Sequence, residues 1–407
     1  MKHPKNKFVK ATAVAAALLL GTTACGGSTA SEADDSAGNP FSILAMVPTS
    51  GPLAKIGAGA ASSLKAAVEV INAHKGIAGR QVQITFVDTT SSPSEAVSRL
   101  QSELSKESLP DLVVPSVVSS ETVALLPLLT QNEILSVGTA AGTISTDRVK
   151  FPYAFNTAVQ AKDSMSAQIK KIAGDGVKKL GVIAPDSVLG RDKLKALEEL
   201  TAKANIEITN EFIDPASVDP TAELSRLKES GVEALLVAAA LGPSGAAIMG
   251  AFDKVGWDVP RYLDDAASTN NYTGLSPAAL QDVTFAAMRY GVADEAIRTS
   301  DAYKLYWDAF TGVTTSYEQG PDVYVYPYSA LILAKAAIDK AGGVDDLDAV
   351  VKSFENISSK DSELWIMTED LALNPANHSI QVADDDMVFF PAGPRNDQGL
   401  FTRAAVK

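Results

Sequence analysis

Cysteine, histidine and long apolar runs are scarce in this chain, and each scarcity excludes a class of protein. Cys25 is the only cysteine among the 407 residues, so no disulfide can form within the chain. The three histidines are far apart, and no cluster of His and Cys has the spacing of a metal site. No segment reaches the about 18 uninterrupted apolar residues of a membrane-spanning helix. We therefore expect no disulfide framework, no metal site and no membrane-embedded domain.

Motifs for covalent catalysis and for cofactor binding are also lacking. There is no Gly-x-Ser-x-Gly elbow and no His-Glu-x-x-His motif, and neither His74 nor His378, which is expected in a polar loop, lies near a nucleophile in sequence. The stretch "GAGAAS" from Gly57 resembles a phosphate-binding loop, but Ser62 replaces the third glycine of that fingerprint. Close packing of a helix on its sheet is the better interpretation of these small residues. We expect no cofactor and no enzymatic activity, with an extracytoplasmic α/β enzyme as the alternative.

Basic residues are outnumbered by acidic ones. The chain has 35 Lys and Arg against 49 Asp and Glu, which gives a formal net charge of −14. An acidic surface repels phosphate backbones and anionic lipid headgroups. The composition therefore predicts that nucleic acid is not a partner.

The N-terminal segment has the pattern of a secretory signal. Residues 1–25 combine four lysines with the apolar stretch Ala11–Leu20, which is too short to span a bilayer. The segment ends in "GTTAC", which resembles the motif at which bacterial lipoproteins are acylated on cysteine, here Cys25. The polar, glycine-containing residues 26–40 indicate a flexible tether. We expect a protein anchored by lipid on Cys25 at the extracytoplasmic face of the cell membrane, with a plain cleaved signal peptide as the alternative.

From Phe41 onward, short apolar runs alternate with patterns of helical period, which predicts βαβ units around parallel sheets. "FSILAMV" is the first strand, and a helix is expected from about Ala60 to Asn72. "KLGVIAPDSVLGRDKLKALEEL" repeats the strand-turn-helix pattern later, so two similar lobes are expected. Gly231 and Gly256 follow helical patterns as C-terminal caps do, and a long helix is predicted over Tyr324 to Lys340.

The predicted fold class is α/β, with two Rossmann-like lobes whose parallel sheets are joined by a multi-strand hinge. The predicted boundaries are a lipoprotein signal peptide at 1–25, a tether at 26–40, the first part of lobe 1 at 41–158, lobe 2 at 159–288, a return to lobe 1 at 289–376, and a C-terminal segment near the hinge and lobe 2 at 377–407.

Two predicted strands of the first lobe end in small or hydroxyl-bearing residues. Leu112–Val118 is followed by Ser119–Ser120, and Ile134–Val137 by Gly138–Thr143. Open parallel sheets bind ligands outside the carboxyl ends of their strands, and two facing sheets would form a cleft there. A helix expected to start near Glu121 would offer unpaired N–H groups to a carboxylate, while capping of that helix by a serine is the alternative role.

The stretch from Ile43 to Leu104 resembles the N-terminal lobe of the type I periplasmic binding proteins of the leucine/isoleucine/valine-binding family. The likeness lies in Ser50-Gly51-Pro52, in "INAHKGIAGRQVQI", in Asp88 and in the helix start at Pro93, and it continues over most of the chain. Members of that family are extracytoplasmic receptors of ABC importers. The resemblance implies a small-molecule solute as ligand, and an ABC permease with its ATPase subunits as partners; a sensor lipoprotein of the same fold is the alternative.

The resemblance also implies a set of ligand-binding residues. Ser119, Ala140 and Ala141 match the family's serine and two alanines around the ligand's α-carboxylate and α-ammonium. Gly142 stands where the family has threonine, with a threonine one residue later, and aliphatic residues replace the aromatics of amino-acid binders. The expected solute is a branched-chain amino acid or a less polar carboxylate or amide. The predicted ligand-binding residues are Ser119, Ser120, Ala140, Ala141, Thr143, Ile56, Leu189, Leu241 and Asp265, with Asp264 as the alternative acid.

Overall fold

The structure is a computed structural model that describes residues 39–142, 147–270, 272, 274–293, 295–314, 321–393 and 395–402. The predicted signal peptide with Cys25, almost all of the predicted tether, and Thr143 lie outside these residues. Among the helices described, none has the length and apolarity that a membrane crossing requires.

The described strands form two separate sheets. In chain order they are β1 (Phe41–Val47), β2 (Val82–Asp88), β3 (Leu112–Val114), β4 (Ser136–Gly138), β5 (Ala154–Asn156), β6 (Lys179–Pro185), β7 (Glu207–Ile213), β8 (Ala234–Val237), β9 (Arg261–Leu263), β10 (Val283–Met288), β11 (Leu373–Asn374), β12 (Ser379–Ile380) and β13 (Met387–Pro391). The first sheet has the order β11-β12-β5-β4-β3-β1-β2 and the second β13-β10-β9-β8-β6-β7.

Neighbouring strands are parallel except for β11 beside β12 and β10 beside β13. The chain passes between the sheets after β5, after β10 and after β12. The predicted α/β class with two lobes built on parallel sheets is confirmed.

The described part of the chain also contains α-helices, most of which pack against the sheets or against each other. They are α1 (Ala54–Ala73), α2 (Pro93–Leu104), α3 (Ser119–Gln131), α4 (Ala161–Gly174), α5 (Val188–Ala204), α6 (Thr221–Glu229), α7 (Pro243–Val255), α8 (Asp265–Ser268), α9 (Asp301–Val313), α10 (Pro321–Ala341) and α11 (Leu347–Glu355). The predicted long helix is α10. Gly231 and Gly256 follow α6 and α7 with φ of +74° and +57°, which confirms their predicted position after the helix ends.

Helix α1 begins six residues before its predicted start at Ala60, so the glycines of "GAGAAS" lie inside the helix. A Cβ on Gly57 would lie 2.0 Å from the carbonyl oxygen of Pro48, and one on Gly59 would lie 1.8 Å from a ring carbon of Tyr324 in α10. Helix α1 therefore lies closer to Pro48 and to Tyr324 than any residue larger than glycine would permit at positions 57 and 59. The small residues therefore serve close packing, as expected, but the close neighbours of Gly57 and Gly59 are the loop after β1 and helix α10 and not the sheet.

One large core joins the first sheet to the later helices. Phe41 and Val114 of the sheet share it with Tyr306 of α9, Leu331 of α10 and Phe354 of α11. Residues of the stretch 289–376 thus pack on the strands of 41–158. Separate cores lie around the second sheet.

The C-terminal segment from residue 377 contributes to both sheets. Strand β12 pairs with β5 in the first sheet, and β13 pairs with β10 in the second. His378 is only 1% exposed, stacks on Phe155 with ring centroids 4.4 Å apart, and lies with Nε2 3.2 Å from the Glu355 carboxylate. His378 lies in the turn between β11 and β12, in agreement with the expected loop, but its ring is buried, and burial lowers the pKa of its imidazole.

Candidate ligand-binding site

A cavity of about 670 Å³ lies between the two lobes. Its walls come from segments that follow strands at their carboxyl ends, as expected for ligand sites of open parallel sheets. In the first lobe these segments follow β1 (Pro52, Leu53), β3 (Val117–Ser120) and β4 (Thr139, Ala141), and in the second they follow β6 (Ser187–Leu189), β7 (Pro215–Val218) and β8 (Ala239, Leu241). The volume is within the roughly 300–1,000 Å³ of small-molecule sites.

Seven of the nine predicted ligand-binding residues border this cavity. They are Ile56, Ser119, Ser120, Ala141, Leu189, Leu241 and Asp265. Ala140 does not border it: the residue is 1% exposed, and its carbonyl oxygen accepts a hydrogen bond of 2.7 Å from the Asn156 side chain. Thr143 is outside the described residues. Contact of the seven residues with a ligand stays a prediction.

Ser119 connects two loops of the first lobe. Its Oγ accepts a hydrogen bond of 3.1 Å from the backbone N–H of Gly142, in the loop after β4. Helix α3 begins at Ser119, Val118 holds the N-cap position with extended backbone, and no side chain caps the helix. The capping role considered for Ser119 or Ser120 is therefore wrong, because the helix starts two residues before the expected position at Glu121.

A buried polar network lies beside this wall. Glu121 is fully buried and accepts hydrogen bonds from the hydroxyls of Thr89, at 2.8 Å, and Ser116, at 2.7 Å. Burial raises the pKa of the Glu121 carboxyl, while the two hydroxyls oppose the rise. The network links the chain after β2 and the chain after β3 to helix α3. No motif in the sequence pointed to it.

The second lobe places a buried cation at the cavity. Lys193 of α5 is 1% exposed and its Nζ lies 2.7 Å from Asp264 Oδ2 and 2.6 Å from Asp265 Oδ1. Burial alone would lower the pKa of Lys193, but the two carboxylates outweigh it and raise the pKa, so the ammonium is charged. Asp264 also accepts backbone N–H bonds of 2.7 Å from Ala239 and Ala267.

Sequence reasoning missed Lys193. The residue lies on the same buried face of α5 as Leu189 and Leu197, at a spacing of four residues from each. A lysine in the apolar stripe of a helix is the signal that could have found it, because lysine is almost never fully buried unless it is paired.

Apolar side chains from both lobes meet at the cavity. Leu189, Ala239 and Ala266 of the second lobe form a buried cluster with the partly buried Ala141 of the first lobe and Leu241. The lobes also approach closely at Gly142, where an added Cβ would lie 3.2 Å from Val188 Cγ1. No group of three or more His, Cys, Asp and Glu side chains in the described part of the chain could hold a metal ion. The arrangement suits binding of a small, partly apolar molecule.

Comparison with known proteins agrees with this geometry. Residues 40–386 match the model of a family described as periplasmic binding protein. A Leu/Ile/Val-binding protein homolog of Brucella melitensis is 26% identical over 336 residues, which cover 78% of this chain and 83% of the relative.

Solved structures have the same fold at lower identity. An extracellular ligand-binding receptor from Rhodopseudomonas palustris HaA2 superposes with a TM-score of 0.73 at 19% identity, covering 86% of this chain and 97% of the receptor. A solute-binding protein of an ABC transporter from Rhodopseudomonas palustris BisB5, solved in complex with 3,4-dihydroxybenzoic acid, gives a TM-score of 0.71 at 20% identity and covers 89% of this chain and 95% of that protein.

The family match extends over most of the chain and includes both lobes and the cavity between them. The chain therefore belongs to the type I periplasmic binding proteins of the leucine/isoleucine/valine-binding family, which are solute-binding proteins of ABC transporters rather than enzymes.

Proposed function

We propose that this protein captures a small carboxylate or amide solute between its lobes and delivers it to the permease of an ABC importer. The observation that carries the proposal is the cavity of about 670 Å³, which is bordered by both lobes and has few charged side chains among the described residues. A ligand there contacts both lobes at once. Binding then favours the closed arrangement over the open one, and the closed form is the form presented to the permease.

The solute is a branched-chain amino acid or a related, less polar acid or amide. Its carboxylate would lie at Ser119 and the first backbone N–H groups of α3, where a helix start favours negative charge. Its apolar body would pack on Ile56, Leu189 and Leu241, which border the cavity. The name of the Brucella relative supports an amino acid, whereas the dihydroxybenzoic acid bound by the Rhodopseudomonas protein supports an aromatic acid.

A thermal-shift screen of the purified mature protein tests the proposal. The compounds are amino acids, their amides, aliphatic acids and aromatic acids. A ligand that binds only the folded state raises its stability by about 2.7 kcal/mol at a concentration of 100 times Kd, so a true solute gives a large rise in Tm. A flat response over the whole panel would contradict the assigned solute class.

Delivery to a permease is tested by uptake. Cells that lack the gene should import the radiolabelled solute more slowly than wild-type cells, and the full-length gene should restore the rate. Normal uptake by the deletion strain of a solute that the purified protein binds would favour the sensor role instead.

Lipid anchoring is proposed for Cys25, which follows small residues at the end of the signal-like segment. The Cys25→Ala variant should move from the membrane fraction to the soluble extracytoplasmic fraction, because one side chain carries the anchor. Mass spectrometry of the wild-type N-terminus measures the acyl chains directly. Wild-type protein that is already soluble would favour the plain signal peptide.

A further inference from the structure

We propose that Lys193 determines the ligand class by holding Asp265 in an ion pair, so that the cavity favours acids and amides that carry no ammonium group. This inference rests on the proposed function and narrows the solute class of the same cavity.

Asp265 is the one carboxylate among the described cavity residues that a ligand could reach. Among the described residues that border the cavity it is the only acid, and its side chain is 15% exposed. Asp264 is 0% exposed, and its oxygens already accept hydrogen bonds from Lys193 and from the backbone N–H groups of Ala239 and Ala267. Asp265 is therefore the only counter-ion that the described cavity offers to a ligand ammonium group.

Asp265 already has a cation. The Nζ of Lys193 lies 2.6 Å from Asp265 Oδ1, and the lysine is 1% exposed. A second ammonium bound to the same carboxylate would lie within a few ångströms of Nζ, and like charges repel strongly where water is excluded.

A ligand ammonium cannot easily displace Lys193 from Asp265. Lys193 lies between Leu189 and Leu197 on the buried face of α5, and its departure would leave the carboxylate of Asp264 buried without its cation. Removing one partner of a buried ion pair is strongly unfavourable. The pair is therefore a fixed part of the wall, and Asp265 has one oxygen left for a neutral donor such as a hydroxyl or an amide N–H.

The ligand class that fits has a carboxylate or amide at one end, an apolar body, and no ammonium group. The lobes supply an apolar cluster of Leu189, Ala239, Ala266, Ala141 and Leu241 for the body. A neutral hydroxyl on the body could donate to Asp265 without displacing Lys193.

Matched pairs of acids test the inference by isothermal titration calorimetry. Each pair differs in one ammonium group: 4-methylpentanoate against L-leucine, 3-phenylpropanoate against L-phenylalanine, and 4-methylbenzoate against 4-(aminomethyl)benzoate. In the pair that binds best, we expect the member without ammonium to bind at least tenfold more tightly. Tighter binding of the amine would overturn the inference and leave the proposed function intact, whereas no binding by any member would contradict the proposed solute class and the inference together.

The Lys193→Met variant supplies the second readout, with Lys195→Met on the exposed face of the same helix as its matched control. Loss of the lysine charge frees Asp265, so the amine in each pair should gain at least tenfold in affinity relative to its partner, while Lys195→Met leaves the ratio unchanged. Where Lys193→Met yields too little folded protein, Lys193→Gln removes the charge and keeps N–H donors for Asp264. A ratio that stays at the wild-type value in the folded Lys193 variant would overturn the inference.

Discussion

At the scale of single residues, Ser119 illustrates how a small side chain can serve two loops at once. Its hydroxyl oxygen accepts the N–H of Gly142, and the residue borders the cavity at the start of α3. The sequence showed only that small residues follow two strands. The hydrogen bond between Ser119 and Gly142 joins the loops after β3 and β4 into one wall of the cavity. It also places the Ser119 hydroxyl next to the backbone N–H groups at the start of α3.

Replacement of Ser119 by alanine should weaken solute binding by about 1–3 kcal/mol, because a ligand carboxylate loses a hydrogen-bonding partner and the wall loses its link to Gly142. Calorimetry with the solute found in the screen measures the loss. Ser102→Ala is the control, since Ser102 is an exposed residue of α2 that does not border the cavity. Affinity equal to wild type in Ser119→Ala would contradict the role of this hydroxyl in binding.

Asp88 organises the loop after β1. Its carboxylate accepts hydrogen bonds from the hydroxyl of Ser50, at 2.6 Å, and from the backbone N–H groups of Thr49, Ser50 and Thr90. Partial burial opposes ionisation, but these four hydrogen bonds together hold its pKa at about 2. The loop they fix leads into Leu53 and Ile56, which border the cavity.

Replacement of Asp88 by asparagine should lower the free energy of unfolding at pH 7 by about 1 kcal/mol, a value reduced by solvent screening of a partly exposed group. Because the folded-state pKa is depressed, the ionised carboxylate stabilises the protein above its unfolded-state pKa near 4. That contribution is lost as the pH falls toward 2. Urea unfolding of the wild type and of Asp88→Asn at pH 7 and pH 2.5 measures this contribution. Asp258→Asn, at an exposed aspartate, is the control. A difference that persists unchanged at pH 2.5 would contradict the electrostatic origin.

At the scale of elements, helix α1 is held between the loop after β1 and helix α10. Gly57 faces the carbonyl of Pro48, and Gly59 faces the ring of Tyr324. Each glycine is used for its lack of a Cβ and not for an unusual backbone conformation. The close approach fixes Ile56, on the first turns of the helix, at the edge of the cavity.

The Gly57→Ala variant should lose about 1–3 kcal/mol of stability, because its Cβ would meet the Pro48 carbonyl and the backbone would have to move. Gly174→Ala, at the end of α4, is a matched control, because no atom from another part of the chain lies within 4 Å of its added Cβ. That variant should be unchanged or more stable by about 0.5–1 kcal/mol, since alanine favours a helix over glycine. Urea unfolding measures both, and equal stability of the two variants would refute the packing role.

At the scale of the whole molecule, the two lobes meet at Gly142 and Val188. A Cβ on Gly142 would lie 3.2 Å from Val188 Cγ1 of the second lobe and 3.0 Å from Ser119 Cβ of the first. A larger residue at this position would therefore crowd both lobes. We therefore expect lobe closure and ligand binding to be coupled through the few atoms at this contact.

The Gly142→Ala variant should weaken solute affinity by about 1 kcal/mol, because the added methyl group obstructs the approach of the lobes. The double variant with Val188→Ala should recover most of that loss, measured as a coupling energy in a double-mutant cycle with Val188→Ala alone. A loss that Val188→Ala does not relieve would place the obstruction inside the first lobe, at Ser119, and contradict the proposed coupling.

Much of the fold follows from local pattern in the sequence. Alternation of apolar runs with helical periodicity determined the α/β class and the two similar lobes, and glycines after α6 and α7 marked two helix ends. The start of α1 was predicted six residues late, because glycine at Gly57 and Gly59 usually disfavours a helix and only the close contacts with Pro48 and Tyr324 explain their presence. Helix boundaries that depend on contacts with distant elements cannot be predicted from the local sequence pattern.

The sequence by itself also predicted where a cavity would form, because the strands that border it are followed by small residues that leave the backbone uncovered. Only the tertiary structure decided its chemistry. It excluded Ala140 from the wall, linked Ser119 to Gly142, and paired Asp265 with Lys193, which is 72 residues away in sequence. The physical reason is that periodicity and local residue type act over a few positions, whereas the charge at a site depends on which groups the folded chain brings within hydrogen-bonding distance.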